Sequence, residues 1–358
     1  MKFMQSIIAF ILTAVAVAVY CAPTVSEEKP TSPRSLAETY MSEGKYSDAR
    51  DELNKALKEK DLSDADKADI HLQIALSYYE SGDYERAKPE LEKVLTMPGA
   101  KRTQEREGGW ANYTPFREAK LRLVKMNPSE GKQETITALF IGSSMTLRGY
   151  MPSIVEQIAA SAPAGRPRIM TAMYVRGGTA IEVFWEKGNA RDTARGKMAS
   201  VPWDIVVIET SPRRPVASNL KYGQLFCDLA RSLKIKPVLY ENHVTRDEPY
   251  PDAHQKYHDD EVMLSKTLQS PLAPVQLAEM YYIEANPNAQ LGMFYADRVH
   301  PSEKGYHLAA YCIYSAITGY SPVGLYHPEN IPDEEAQAMQ EAAWKAVQDA
   351  NPDLKPQE

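Results

Sequence analysis

The sequence is poor in cysteine, with three in 358 residues, and has no surplus of basic charge. Cys21 stands in the first segment, so only Cys227 and Cys312 remain in the body, too few and too scattered for a disulfide framework or a zinc site. They form one optional bridge or a pair of buried thiols. Lys and Arg number 41 against 48 Asp and Glu, a formal charge of -7. No basic stripe offers the phosphate neutralisation on which nucleic-acid affinity mostly depends, so nucleic acid is not an expected partner. What is present, 43% hydrophobic and 25% charged residues, is the balance of a globular protein, and the length suits about two domains. Wholesale disorder and a fibrous chain are excluded.

Met1 to Tyr20 carries one lysine, Lys2, and then the apolar run Ile7 to Val19. That run fits a signal-peptide core better than the roughly 20 residues needed to span a bilayer, so an exported protein, periplasmic or at the cell surface, is expected. Three fates of the 1–22 leader stay open. Cleavage after Ala22 has Tyr20 and Pro23 against it. The stretch Ala18-Val19-Tyr20-Cys21 resembles a lipoprotein signal, which implies acylation of Cys21, although Tyr20 replaces the usual small residue. An uncleaved membrane anchor is the third. Residues 23–34, rich in Pro, Ser, Thr and Glu, read as a solvated tether.

The next segment repeats itself at an offset of 38: Gly44-Lys45-Tyr46 with Ala49, Leu53 and Ala56 recurs as Gly82-Asp83-Tyr84 with Ala87, Leu91 and Val94. Such repeats mean stacked helix pairs. With Ala37 and Tyr40, then Ala75 and Tyr78, the pattern resembles the tetratricopeptide repeat, with extra residues in Lys58 to Lys67. A helical domain over 35–128 follows, in which the helix at Phe116 to Met126 caps the stack. Its role is support for the next domain or docking of a protein partner. Pro98 to Tyr113 reads as the linker.

Beyond it, strand-length apolar runs at Ile136–Ile141, Ile169–Val175, Ile205–Ile208, Pro237–Tyr240 and Leu272–Val275 alternate with helical stretches at Ser153–Ala160, Leu220–Leu233 and Tyr306–Ile317. This predicts an α/β domain over 135–325, a parallel sheet covered by helices on both faces, with ligands bound outside the carboxyl ends of the strands. After the first strand comes Gly142-Ser143-Ser144-Met145; near the end comes Asp297-Arg298-Val299-His300-Pro301. A serine at a strand-to-helix turn exposes its hydroxyl and puts its own N–H where negative charge is stabilised. His300 can take its proton, and Asp297 can fix the histidine tautomer, the logic of a triad. Read singly, Ser144 is a helix N-cap and His300-Pro301-Ser302 a loop entering a helix.

Over about Thr135 to Leu325 the chain resembles the SGNH, or GDSL-type, hydrolases. Ser144 matches the nucleophile block, and Asp297 with His300 matches the last block, which continues through Gly305-Tyr306-His307-Leu308-Ala309-Ala310. The resemblance implies a three-layer α/β/α sandwich with a flavodoxin-like parallel sheet, and hydrolysis of carboxylic esters, including acylated carbohydrate, without metal or cofactor. It assigns the oxyanion hole to the N–H groups of Ser144 and of Gly178, or its neighbour Gly177. The family's asparagine after the third strand is missing: the chain reads Glu209-Thr210-Ser211-Pro212-Arg213-Arg214. An ionised Glu209 only accepts hydrogen bonds, so a third donor is Thr210, Ser211, an arginine or nothing. Ser143 replaces the family's Asp or Asn. Arg213 and Arg214 are surface residues or, facing the pocket, ligands for an anionic group.

The Gly177-Gly178 pair is by default a turn, and His243, His254 and His258 read as exposed or locally bonded. A C-terminal helix is expected after Pro332, with Ala336, Met339, Ala343, Val347 and Ala350 on its inner face and a fraying end from Asn351 to Glu358. Two competing readings remain: a binding module with a degraded third block, coupled to the repeats, and a sugar-binding protein using Trp185 and Tyr222.

Overall fold

A computed structural model describes residues 32–101, 110–111, 114–126, 134–190, 193–287, 289–355 and 357. The leader, with Cys21, and nearly all of the tether lie outside the described residues. Among those described, no helix is long and apolar enough to cross a membrane. The chain divides into two compact units, Met1–Lys60 and Asp61–Glu358.

In the first unit α1 (Pro33–Ser42) packs on α2 (Tyr46–Ala56). Ser32 caps α1 by accepting the Ser35 N–H, and Pro33 supplies a first-turn residue that needs no donor. In the second unit α3 (Asp64–Glu80) pairs with α4 (Tyr84–Thr96). The internal repeat is visible in both turns. Gly44 and Gly82 sit at φ +72° and +79°, the left-handed region that favours glycine after a helix. Behind them the Lys45 N–H donates to Tyr40 C=O at 2.8 Å and the Asp83 N–H to Tyr78 C=O at 2.9 Å. The repeated small and apolar positions, Ala49, Leu53, Ala56 and Ala87, Leu91, Val94, are all buried.

A short strand β1 (Trp110–Ala111) lies inside the segment read as linker, and α5 (Pro115–Met126) packs against α3 and α4. The α/β region then runs β2 (Thr135–Gly142), α6 (Ser144–Leu147), α7 (Met151–Ser161), β3 (Arg168–Val175), α8 (Ile181–Glu186), α9 (Ala194–Ser200), β4 (Ile205–Glu209), α10 (Val216–Ser232), β5 (Lys236–Tyr240), α11 (Asp252–Leu268), β6 (Leu272–Ala273), α12 (Val275–Ala285), α13 (Glu303–Thr318) and α14 (Asp333–Ala350).

The sheet order is β1-β3-β2-β4-β5-β6, with β2 to β6 parallel and β1 antiparallel on β3. Numbered among themselves, the parallel strands run 2-1-3-4-5, the flavodoxin-like order. Alternate side chains feed two cores. Ala138, Phe140, Val207, Val238 and Tyr240 face α7, α12, α13 and α14, while Leu139, Ile141, Val206, Ile208 and Leu239 face α8 to α11. The fold is a three-layer α/β/α sandwich. Cys312 and Cys227 are free, buried in opposite cores, so the optional bridge does not form.

Two expectations at the C-terminus change. Pro274 ends the last strand, so Val275 opens α12 rather than closing β6. Asn351 does not fray: its side chain accepts the Leu272 N–H at 2.8 Å and donates to the Leu272 C=O at 2.9 Å. One amide thus mimics a neighbouring strand on the edge of β6, satisfying groups that an edge otherwise leaves unpaired.

Candidate active site

The carboxyl ends of β2, β3, β4 and β5 border a cavity of about 470 Å³ lined by Ser144, Gly178, Glu209, Arg213, Asn242 and His300, among others. Ser144 opens the short helix α6 directly after β2, and Ser143 caps it by accepting the Met145 N–H. Ser144 Oγ lies 3.0 Å from His300 Nε2, and His300 Nδ1 lies 2.8 Å from Asp297 Oδ2. An ionised carboxylate only accepts, so the proton between them belongs to Nδ1 and Nε2 is left to accept from Ser144. The three residues, 156 positions apart at their extremes, converge because the sheet order brings the loop before α13 over the end of β2.

The Asp297–His300 loop is a tight turn. Asp297 Oδ1 accepts the N–H groups of His300 at 2.9 Å and Val299 at 3.0 Å, and Arg298 takes φ +60° between them. These backbone bonds, the His300 one first, and then the His300 ring hold the Asp297 carboxyl well below the usual carboxylate range. Arg148, one turn after Ser144, donates to Asp297 Oδ2 at 2.8 Å and brings Nη1 within 2.9 Å of His300 Nδ1. The turn that Ser144 opens therefore also grips Asp297, a contact that no motif marks in the sequence.

After β3 the Arg176–Thr179 turn places Gly178 at φ +66°, so its glycine is required by backbone conformation. Gly178 lines the cavity, and Gly177 packs so near Ser144 that an added Cβ would lie 3.9 Å from the Ser144 Cβ.

Glu209 does not stand free in the cleft. Its carboxylate accepts the Ser143 N–H at 2.8 Å, the Ser143 hydroxyl, the Thr146 hydroxyl at 2.6 Å and Asn242 Nδ2 at 2.9 Å. Burial pushes its carboxyl up, against the pull of these donors. Gly142 is needed here, since an added Cβ would run into Glu209 Oε2 and Thr146 Oγ1. Ser143, which departs from the expected acidic or amide residue, thus keeps a network partner by donating to Glu209.

Thr210 turns away from the cleft, correcting its place among the candidate donors. Its N–H donates to Tyr240 C=O at 3.0 Å and its hydroxyl to Glu261 Oε2 at 2.8 Å. Ser211 and both arginines line the cavity. Asn242, after β5 and one strand beyond the position the resemblance points to, also lines it and gives one Nδ2 hydrogen to Glu209. Trp185 and Tyr222 do not line it: Trp185 stacks under Arg195 and against Phe226, and Tyr222 donates to Glu186.

His243, His254 and His258 are buried, not exposed. His258 Nδ1 is 3.1 Å from Glu241 Oε1, and His243 Nδ1 is 3.4 Å from Glu279 Oε2. Burial opposes protonation of His258, but Glu241 outweighs it and raises the imidazole above its ordinary range. Burial and the nearby Glu241 charge push the Glu261 carboxyl up to about 8. Among the described residues no group of three or more His, Cys, Asp or Glu side chains is arranged to hold a metal ion.

Residues 68–100 match the tetratricopeptide repeat family model, the second of the two repeat units. No curated protein matches the chain. It is similar to solved structures that include a candidate SGNH hydrolase from Slackia heliotrinireducens, at 18% identity and a TM-score of 0.42 over 51% of this chain and 100% of that one. A DUF4886 family protein from Bacteroides uniformis is 14% identical, with a TM-score of 0.47 over 60% of this chain and 95% of that one. An acetylxylan esterase from Geobacillus stearothermophilus is 17% identical, with a TM-score of 0.40 over 52% and 95%.

Proposed function

We propose that the chain is an exported serine esterase of the SGNH type that hydrolyses carboxylic esters, O-acetyl groups on carbohydrate being one candidate class among them. The observation that carries this reading is the continuous Ser144, His300 and Asp297 contact chain, 3.0 and 2.8 Å long, opening on a cavity. His300 Nε2 takes the Ser144 proton as Oγ attacks the acyl carbonyl, and Asp297 stabilises the imidazolium. The N–H groups of Ser144 and Gly178 receive the oxyanion. The proton passes to the departing alcohol, and water activated by the same histidine releases the acyl group. The apolar leader supports export, with Cys21 as a lipid anchor on the membrane, and the tetratricopeptide repeats support docking of a protein partner.

Hydrolysis of p-nitrophenyl acetate by the purified protein and by Ser144→Ala tests the reading. The expected loss is at least about a thousandfold, the scale on which triad nucleophiles act. A parent protein no faster than its Ser144→Ala variant leaves the second reading, a ligand-binding module. That reading is favoured at the third donor position, where Thr210 faces away and Asn242 gives an Nδ2 hydrogen to Glu209.

A further inference from the structure

The chain is acidic overall, at -7, yet the carboxylates around its cleft are already spent. Glu209 is saturated by Ser143, Thr146 and Asn242. Asp297 is shared by His300 and Arg148. Glu182 lies 3.2 Å from Arg214 Nε. Arg213 lines the same cavity, is exposed, and pairs with no carboxylate among the described residues.

Its backbone is fixed in advance. Ser211 to Arg214 form a turn closed by the Arg214 N–H on Ser211 C=O at 3.1 Å. Pro212 takes the second position of that turn, where its locked φ fits, and Pro215 limits the chain beyond. Buried Asn219 donates a second hydrogen bond to the same Ser211 carbonyl at 2.9 Å, anchoring the turn to α10. A preorganised turn removes the backbone part of the ordering cost, and the guanidinium presents a planar fork to a carboxylate.

We propose that Arg213, with Arg214 beside it, forms an anion subsite of the catalytic cleft, and that the substrate is an ester carrying a carboxylate. This rests on the esterase reading and names its substrate class. The carboxylate belongs either to the acyl group, as in a dicarboxylic half-ester, or to the alcohol, as in an acidic sugar.

Two matched ester pairs distinguish these sources in the full-length protein: mono-p-nitrophenyl succinate against p-nitrophenyl butyrate, and m-acetoxybenzoate against phenyl acetate. The expected result is a higher kcat/KM for the acidic member of one pair, with the acidic-to-neutral ratio falling tenfold or more in Arg213→Gln, partly retained in Arg213→Lys and inverted in Arg213→Glu. The member of the pair that shows this names the side bearing the charge. Rising salt lowers the ratio in the parent and not in Arg213→Gln. Turnover of all four esters with a ratio that Arg213→Glu does not change overturns the subsite and leaves the esterase standing. If no ester is turned over, the esterase reading is the one that fails, and ligand-observed NMR with succinate and m-hydroxybenzoate still decides the subsite. Weaker binding of either acid by Arg213→Glu supports it, and equal binding overturns it.

Discussion

At Glu209 donors from three directions meet one carboxylate: the β2 turn offers the Ser143 N–H and hydroxyl, α6 the Thr146 hydroxyl, and the segment after β5 the Asn242 amide. A carboxylate in this place is held by neutral donors as a brace beneath Ser144. Truncation in Glu209→Ala leaves these buried donors unpaired, at about 1–3 kcal/mol for each group that finds no other partner. We expect a loss of about 2–4 kcal/mol in urea unfolding together with a fall in kcat; an unmoved midpoint contradicts the brace. That Ser144, Asp297 and His300 meet was legible in the sequence, because a triad restricts residue type at each position. The brace and the Arg148 grip on Asp297 were not, because their partners are joined only by the register of parallel strands and by a helical turn.

Among the elements, α11 carries His254, His258 and Glu261 at helical spacing of four and three, one face turned to the core. Read singly, the two histidines were exposed or locally bonded; taken with the helical period they share a buried side with Glu261. Glu261 and His258 titrate with one sign, while burial lowers the His254 imidazole and opposes them. Glu261 is raised from 4.5 to about 8, so the folded state binds more protons than the unfolded one across that interval and stability falls as pH rises through it. His258, also raised, loses its contribution in the same direction as pH rises through its folded value. Thermal unfolding is expected to show a melting temperature that declines from mildly acid to mildly alkaline pH, and a shallower decline in Glu261→Gln. Parallel profiles for the two proteins contradict this. At the edge strand, Asn351→Ala removes both bonds to Leu272 and should cost about 1–3 kcal/mol, read from the denaturant midpoint. The five parallel strands were legible from apolar run length, and α7, α10, α13 and α14 from helical pattern; α8, α9 and α12 were not. β1 was not, since two residues carry no period, and neither was the Asn351 clasp, whose partner lies 79 residues away.

For the second unit as a whole, one buried side chain ties the repeat helices to the sandwich. Arg122 on α5 lies 4.6 Å from the centre of the Tyr79 ring on α3, 3.6 Å from Glu118, and donates to Ser200 C=O at the end of α9. Nearby, Lys125 pairs with Asp204 at 2.6 Å and Arg117 with Glu156 at 2.7 Å. Arg122→Ala breaks the buried pair with Glu118 and is expected to destabilise by about 3–5 kcal/mol, the cost of removing one partner of such a pair. A change below about 1 kcal/mol in urea unfolding contradicts this coupling.

The central claim is that Ser144 is a nucleophile activated by His300. Incubation of the full-length protein with a fluorophosphonate, followed by peptide mass mapping, tests it most directly. The account predicts a single phosphonyl adduct on Ser144, not on neighbouring Ser143, and its loss in His300→Ala. No adduct, or one of equal yield in His300→Ala, contradicts it.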